Sequence, residues 1–300
     1  RSESHIPAFV AYTKAVAADD AASAAAAVAQ LTAYATTFGE TLHSVNENLP
    51  ADAVTKAVTM HATTLLAVID AQKTGDDGAA YSALREAYHH MTGTAAVLAG
   101  ATATQFPDAF AGDPSSPAST LRSTLHALLR EHVFLAASAT GAALGGRNTE
   151  FEAAAAALNG PAGSNTADIV AGITSVYGVD IGAAFDGLWR SESHIPAFVA
   201  YTKAVAADDA AGAAAAVADL TAYATAFGET LHSVNENLPA DAVTEALTMH
   251  ATTLLAVIDA QKAGDGTAAA KLREAMHHMS GTADVLTEAT VMARPDAFTG

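Results

Sequence analysis

Twelve histidines punctuate a 300-residue chain whose hydrophobic half is largely alanine, and several stand where a helical core residue belongs. Leu125, Leu128, His132 and Leu135 fall on one helical stripe. Val243, Leu247, His250, Leu254 and Val257 form a second stripe, and His194, Phe198, Tyr201 and Val205 a third. Neutral imidazole is a ligand for zinc, copper and iron, and three or four rings converging from different helices suffice to hold an ion. In an up-down bundle alternate helices point the same way, so these three histidines are expected to meet near one end at similar depth. His278, midway along a later helix, is expected to reach that level beside His250. The expected ligands are therefore His132, His194, His250 and His278, with Glu131 as a ligand or as the group that orients one. In the first part of the chain the corresponding set is His5, His61 and His90. His126 and His232 lie off the stripes and are read as solvent-facing. The competing reading makes each ring a core residue that hydrogen-bonds a carbonyl or hydroxyl.

A second pattern offers other chemistry. Glu229-x-x-His232 and Glu274-x-x-His277, with Glu40-x-x-His43 and Glu86-x-x-His89, have the spacing of di-iron carboxylate bundles. Such a site also needs a core-facing Glu from each of two further helices, for which Glu131 and Glu192 are the candidates. Methionines flank histidines in Met249-His250 and His277-His278-Met279, and copper(I) accepts thioether ligands. Met276 and Met279 at helical spacing also suit core filling. The sequence contains no Gly-rich phosphate loop, nucleophile elbow or His-Glu-x-x-His motif.

The elements that must position these residues are helices. Alanine is the best helix former and alternating strand patterns are absent. Residues 1–112 recur almost unchanged as 190–300, with five differences between 1–72 and 190–261, which marks a tandem repeat. The segment 113–189 has no second copy. The expected organisation is a partial unit at 1–111 holding the last four helices, a Pro/Ser linker at 112–120, and a complete six-helix unit at 121–300. The fold class is all-α, tandem antiparallel bundles built from helical hairpins. Within the complete unit the helices are placed at about 119–145, 149–177 (interrupted by NGPAGSNT), 180–207 (restarting near Ser193), 210–234, from just after Pro239 to 262, and 267–292. Thr149-x-x-Glu152 reads as a capping box. The chain starts inside a repeat, so a piece of a longer array is expected. The partial unit lacks two covering helices, so it is expected to pack on the complete unit or on a neighbouring chain, the latter being self-association through exchange of equivalent repeats.

Charge limits the partners. Thirty-two acids against fourteen bases give a net charge of −18, which repels nucleic acid and anionic membranes and favours cations. The apolar segments are interrupted by polar residues, so no membrane span is expected. There are no cysteines, hence no disulfide, thiolate metal site or cysteine nucleophile.

LLREHVFLAA at 128–137, ADIVAGITSVYG at 167–178, LWRSESHI at 188–195, SVNENLP at 233–239, LTMHATTL at 247–254 and HHMSGTADVL at 277–286 together resemble a family of small secreted bacterial histidine-containing helical-bundle proteins of uncharacterised role. The resemblance runs over most of 121–290. It implies a six-helix bundle with a polar centre, with matches at Glu131, His132, His194, His250 and His278, and also at Asp168, Asn235, Asn237 and Asp284. This chain departs from it by the Ser-Glu-Ser before His194, by the NGPAGSNT insertion and by Ala96 in place of an aspartate. The family pattern does not require His232 or His277, which favours the histidine cluster over the di-iron pairs. The resulting expectation is a non-enzymatic, secreted or cell-surface bundle that binds a zinc, copper or iron ion through core histidines. The alternatives are a structural surface or filament-forming repeat module without metal, and a di-iron carboxylate oxidase using the Glu-x-x-His pairs.

Overall fold

The computed structural model describes residues 5–110, 112–191 and 194–298. It is 85% helical, with no strand among the described residues. The chain divides into two compact units, Arg1–Ser119 and Thr120–Gly300. The first contains α1 (Ile6–Ala17), α2 (Ala21–Val45), α3 (Ala51–Thr74) and α4 (Asp77–Gln105). Successive helices pack on one another, and α1 also touches α3. The second contains all but the first three residues of α5 (Pro117–Leu144), and α6 (Asn148–Asn159), α7 (Asn165–Tyr177), α8 (Val179–Ser191), α9 (His194–Ala206), α10 (Ala210–Val234), α11 (Ala240–Ala263) and α12 (Ala268–Ala293). The packing order of α1–α4 recurs in α9–α12.

Among its described residues the second unit therefore shows eight helical segments where six helices are expected. Gly160 takes an extended backbone after α6, and the Ser164 side chain accepts from the Ala167 N–H to begin α7, so the insertion ends one helix and caps another. The third expected helix is described as α8 and α9, on either side of residues 192–193. Pro117 starts α5 inside the expected linker, which suits a first-turn proline. The expected Thr149 capping box does not form. Helix α6 begins at Asn148 behind Arg147, which makes no side-chain cap and instead pairs with Glu150.

Alanine and glycine let α9–α12 approach closely. A Cβ at Gly228 would stand 2.5 Å from both the Ala240 carbonyl oxygen and Thr244 Oγ1, so α10 crosses the start of α11 with no room for a methyl group. Gly228→Ala is expected to destabilise the second unit by about 1–3 kcal/mol through overpacking, measured as a lower denaturant midpoint. An unchanged midpoint would show that the helices can part without loss.

Helix α5 differs from its neighbours. Leu128, Leu129, Glu131, His132, Val133, Leu135, Ala136, Ala137, Ala139, Thr140 and Ala142 are all buried, so it is covered on most of its circumference and forms the centre of the second unit. Side-chain hydrogen bonds hold it there. Asn165 donates to the Leu128 carbonyl, and Gln261 donates to the Ala137 carbonyl and accepts from Thr140. The largest fully buried side chains of the unit are Leu135, Leu254 and Ile258. Only α10 among the described helices is long and apolar enough to cross a membrane, at a marginal mean hydropathy of 1.2. One face of it is buried, through Ala216, Leu220, Ala224, Phe227 and Gly228, so it offers no clear membrane span.

Candidate metal centre

Three of the expected ligands converge in the second unit. His132 comes from the middle of α5, His194 is the first residue of α9, and His250 lies on the buried face of α11. They are 1%, 4% and 4% exposed. Their ring centroids stand 5.4 Å apart for His132–His194 and 5.8 Å for each pair with His250. One nitrogen from each ring can be chosen so that all three lie within 4.8 Å of one another, close enough to hold a metal ion. Nε2 of His132 and Nε2 of His194 are 3.2 Å apart. Two nitrogens each about 2.0–2.1 Å from one tetrahedral ion lie roughly 3.3–3.4 Å apart, so this pair already has the spacing of two ligands. The same distance also fits a hydrogen bond in which one ring donates and the other accepts.

Burial controls the protonation of the cluster. The His132 pKa is pushed down to about 4 by desolvation, which the Asn165 side chain and the Glu131 carboxylate oppose. Desolvation, reinforced by His132 and His278, pushes His250 down to about 3. His194 lies well below the ordinary value, through desolvation and then the fields of His132 and His250. All three rings are therefore neutral at pH 7, the state a metal requires. Their remaining nitrogens are poorly served. Nδ1 of His194 and both nitrogens of His250 are buried with no hydrogen-bond partner, as is the Tyr223 hydroxyl. Each unsatisfied group costs about 1–3 kcal/mol.

The surroundings are aromatic and carboxylate-bearing. Trp189, the only tryptophan of the chain, sets its ring edge-on to His132 at 5.5 Å and to His194 at 5.3 Å. Its indole N–H donates to Thr166 Oγ1. Tyr223 lies 5.1 Å from the His194 ring. Glu131 is 1% exposed, and Asn165 Nδ2 donates to its Oε2 at 2.7 Å. Asn165, Trp189 and Tyr223 carry no signal in stripe analysis. Asn165 sits in the NGPAGSNT segment, which reads as a loop insertion. The structure instead buries Ser164, Asn165 and Thr166 completely, making that segment part of the site's wall. The Ser164 cap at the helix start was the available clue.

The other expected ligands go elsewhere. His278 is half-buried, and its Nε2 donates to the Ala246 carbonyl at 3.0 Å, so it lies outside the three-histidine group. A backbone carbonyl one helix away satisfies it before it reaches the centre. In the first unit His90 makes the equivalent bond to Ala57 at 2.9 Å. His5 and His61 remain paired, with ring centroids 6.1 Å apart and both half-buried, but among that unit's described residues no helix corresponding to α5 brings a third ring. Among the described residues His132, His194 and His250 form the one group that could hold an ion. Asp284 is hydrogen-bonded to Arg122 and His126, each at 2.6 Å from Oδ1, near the surface, and these bonds hold its carboxyl down to about 2. His126, read as solvent-facing, is thus partly covered and bonded to Asp284.

The di-iron reading fails on burial. Glu229, His232, Glu274 and His277 are exposed, as are Glu40, His43, Glu86 and His89. His232 Nδ1 and His43 Nδ1 lie 2.8 and 2.9 Å from the carbonyls of Leu238 and Leu49, bracing the turn after their helix. Glu192 lies outside the described residues. Met249 is 47% exposed, whereas Met279 is buried. Asn235, matched in the family resemblance, has a structural role. Buried after α10, it donates to the Tyr177 hydroxyl and the Ala289 carbonyl, and it accepts from Asn237. Comparison with models of known protein families, with curated proteins and with solved structures finds no match.

Proposed function

We propose that the second unit is a non-enzymatic metal-binding bundle that takes one zinc, copper or iron ion on His132, His194 and His250. The carrying observation is that three fully buried, neutral imidazoles from α5, α9 and α11 place nitrogens within 4.8 Å of one another. Three imidazoles are a sufficient protein ligand set for such ions, with a fourth position left for water or another ligand. Glu131 supplies counter-charge rather than a first ligand, since its carboxylate is buried next in sequence and engaged by Asn165. An extracytoplasmic setting rests on the family resemblance.

The test uses the full chain and its single tryptophan. Metal-free protein titrated with zinc at neutral pH should show a saturable Trp189 fluorescence change at one equivalent. The change should reverse with chelator and be absent in His194→Phe. Elemental analysis of protein purified without added metal gives the ion. A titration with no break at one equivalent for zinc, copper or iron overturns the reading. In that case the favoured account becomes a repeat module whose histidines are structural. The carbonyl bonds of His278, His90, His232 and His43 and the sequence duplication support that account, with self-association through exchanged repeats as its activity.

A further inference from the structure

The histidines close one end of a cavity. Its volume is about 250 Å³. Beyond the three rings its walls include Leu125, Ile173, Phe185, Trp189, Leu231 and Val243, and no Asp, Glu, Lys or Arg lines it. It reaches along α5 from His132 to Leu121, a span of roughly 16 Å at 1.5 Å per residue. Val234 and Val285, exposed by 41% and 51%, stand at its outer part. At the histidine end both nitrogens of His250 are buried without partners. Further out the Thr282 hydroxyl is likewise unpartnered, while Tyr177 is hydrogen-bonded to Asn235 and Thr290. A long apolar wall with unsatisfied neutral hydrogen-bonding groups at its closed end is the usual form of a small-molecule site.

We propose that this cavity binds a slender apolar molecule with a single neutral polar end, a medium-chain alcohol being the simplest example. The chain lies along α5, and the polar end bonds to the nitrogens of His250 and its neighbours. An ionised end is disfavoured, because no cationic side chain lines the cavity to receive it. The inference goes beyond metal binding and does not rest on it, so the test is made on the full chain in excess chelator.

Trp189 fluorescence is followed while hexanol, octanol, decanol and decanoate are added below their aggregation limits. The dissociation constant should fall about fourfold for each added methylene, and decanoate should bind at least tenfold more weakly than decanol. A filling variant separates this cavity from general greasiness. Gly172 lines it within α7, and a Cβ there meets nothing within 4 Å. Gly172→Leu fits the helix and should weaken decanol binding at least tenfold. Absence of saturable binding, affinity independent of chain length, or an unchanged Gly172→Leu variant overturns the proposal. Decanoate binding as tightly as decanol overturns the neutral end. Failure of the metal titration leaves all of these outcomes readable.

Discussion

Lowering the pH from 7 to 5 should cost the metal-free second unit several kcal/mol of stability and bring it to unfolding between about pH 5 and pH 4. In the unfolded chain His132, His194 and His250 titrate near 6.5. In the fold His132 falls to about 4, His250 to about 3, and His194 well below its ordinary value. Between pH 6.5 and about 4 the unfolded state therefore binds more protons than the native state. Stability consequently rises with pH and is lost on acidification. Each histidine contributes at most about 1.4 kcal/mol per pH unit, so three give roughly 4 kcal/mol per unit, against a typical total of 5–15 kcal/mol for a domain. The Asp284 carboxylate, held down to about 2, adds little above pH 5, where it is ionised in both states, and adds to the loss below that as the unfolded carboxylate near 3.9 begins to protonate. Trp189 fluorescence reads the second unit selectively. A denaturation free energy that changes by less than about 1 kcal/mol between pH 6.5 and pH 5 would be incompatible with buried neutral rings. Bound metal steepens the same loss, because protons compete for its ligands.

The second large effect is an opposition between binding and stability. His250→Leu should make the chelator-treated protein more stable by about 1–3 kcal/mol, since it removes two buried nitrogens that have no partner and replaces them with a side chain of similar size. The same variant should lose the stabilisation that an ion confers on the parent protein, about 4 kcal/mol at a thousandfold excess over the dissociation constant. Urea melts with chelator and with zinc give all four values. Should His250→Leu weaken the chelator-treated protein instead, His250 is a satisfied structural residue and its role as a ligand is lost. Functional sites are where local rules of burial are broken. Three histidines kept neutral and half-satisfied in an alanine-rich core fit that pattern.

The fold was open to reading because its signals are local. Alanine content, helical spacing and the Pro, Gly and Asp punctuation place α5 and α10–α12 within a few residues of their observed ends, since each signal acts within one turn of the chain. The stripes likewise placed His132, His194 and His250 in the core, because the face a residue presents follows from the 3.6-residue period. What periodicity cannot say is which neighbour a buried side chain meets. His278 and His250 both looked inward, yet the Ala246 carbonyl captures one ring and the other reaches the centre, a choice set by how α12 sits against α11. The Glu-x-x-His pairs had the right spacing and the wrong face. Asp284, a match in the family resemblance, belongs to Arg122 and His126, because only the placement of α12 beside α5 brings those residues together. The NGPAGSNT segment read as a break, yet it supplies Asn165, which anchors Glu131 and the Leu128 carbonyl across more than thirty residues of sequence. Periodicity along the chain is enough for the helices, their buried faces and histidines in the core. Which three rings share a centre, and their neutrality through burial, follow from helix crossings and competing backbone acceptors, which carry no pattern along the chain.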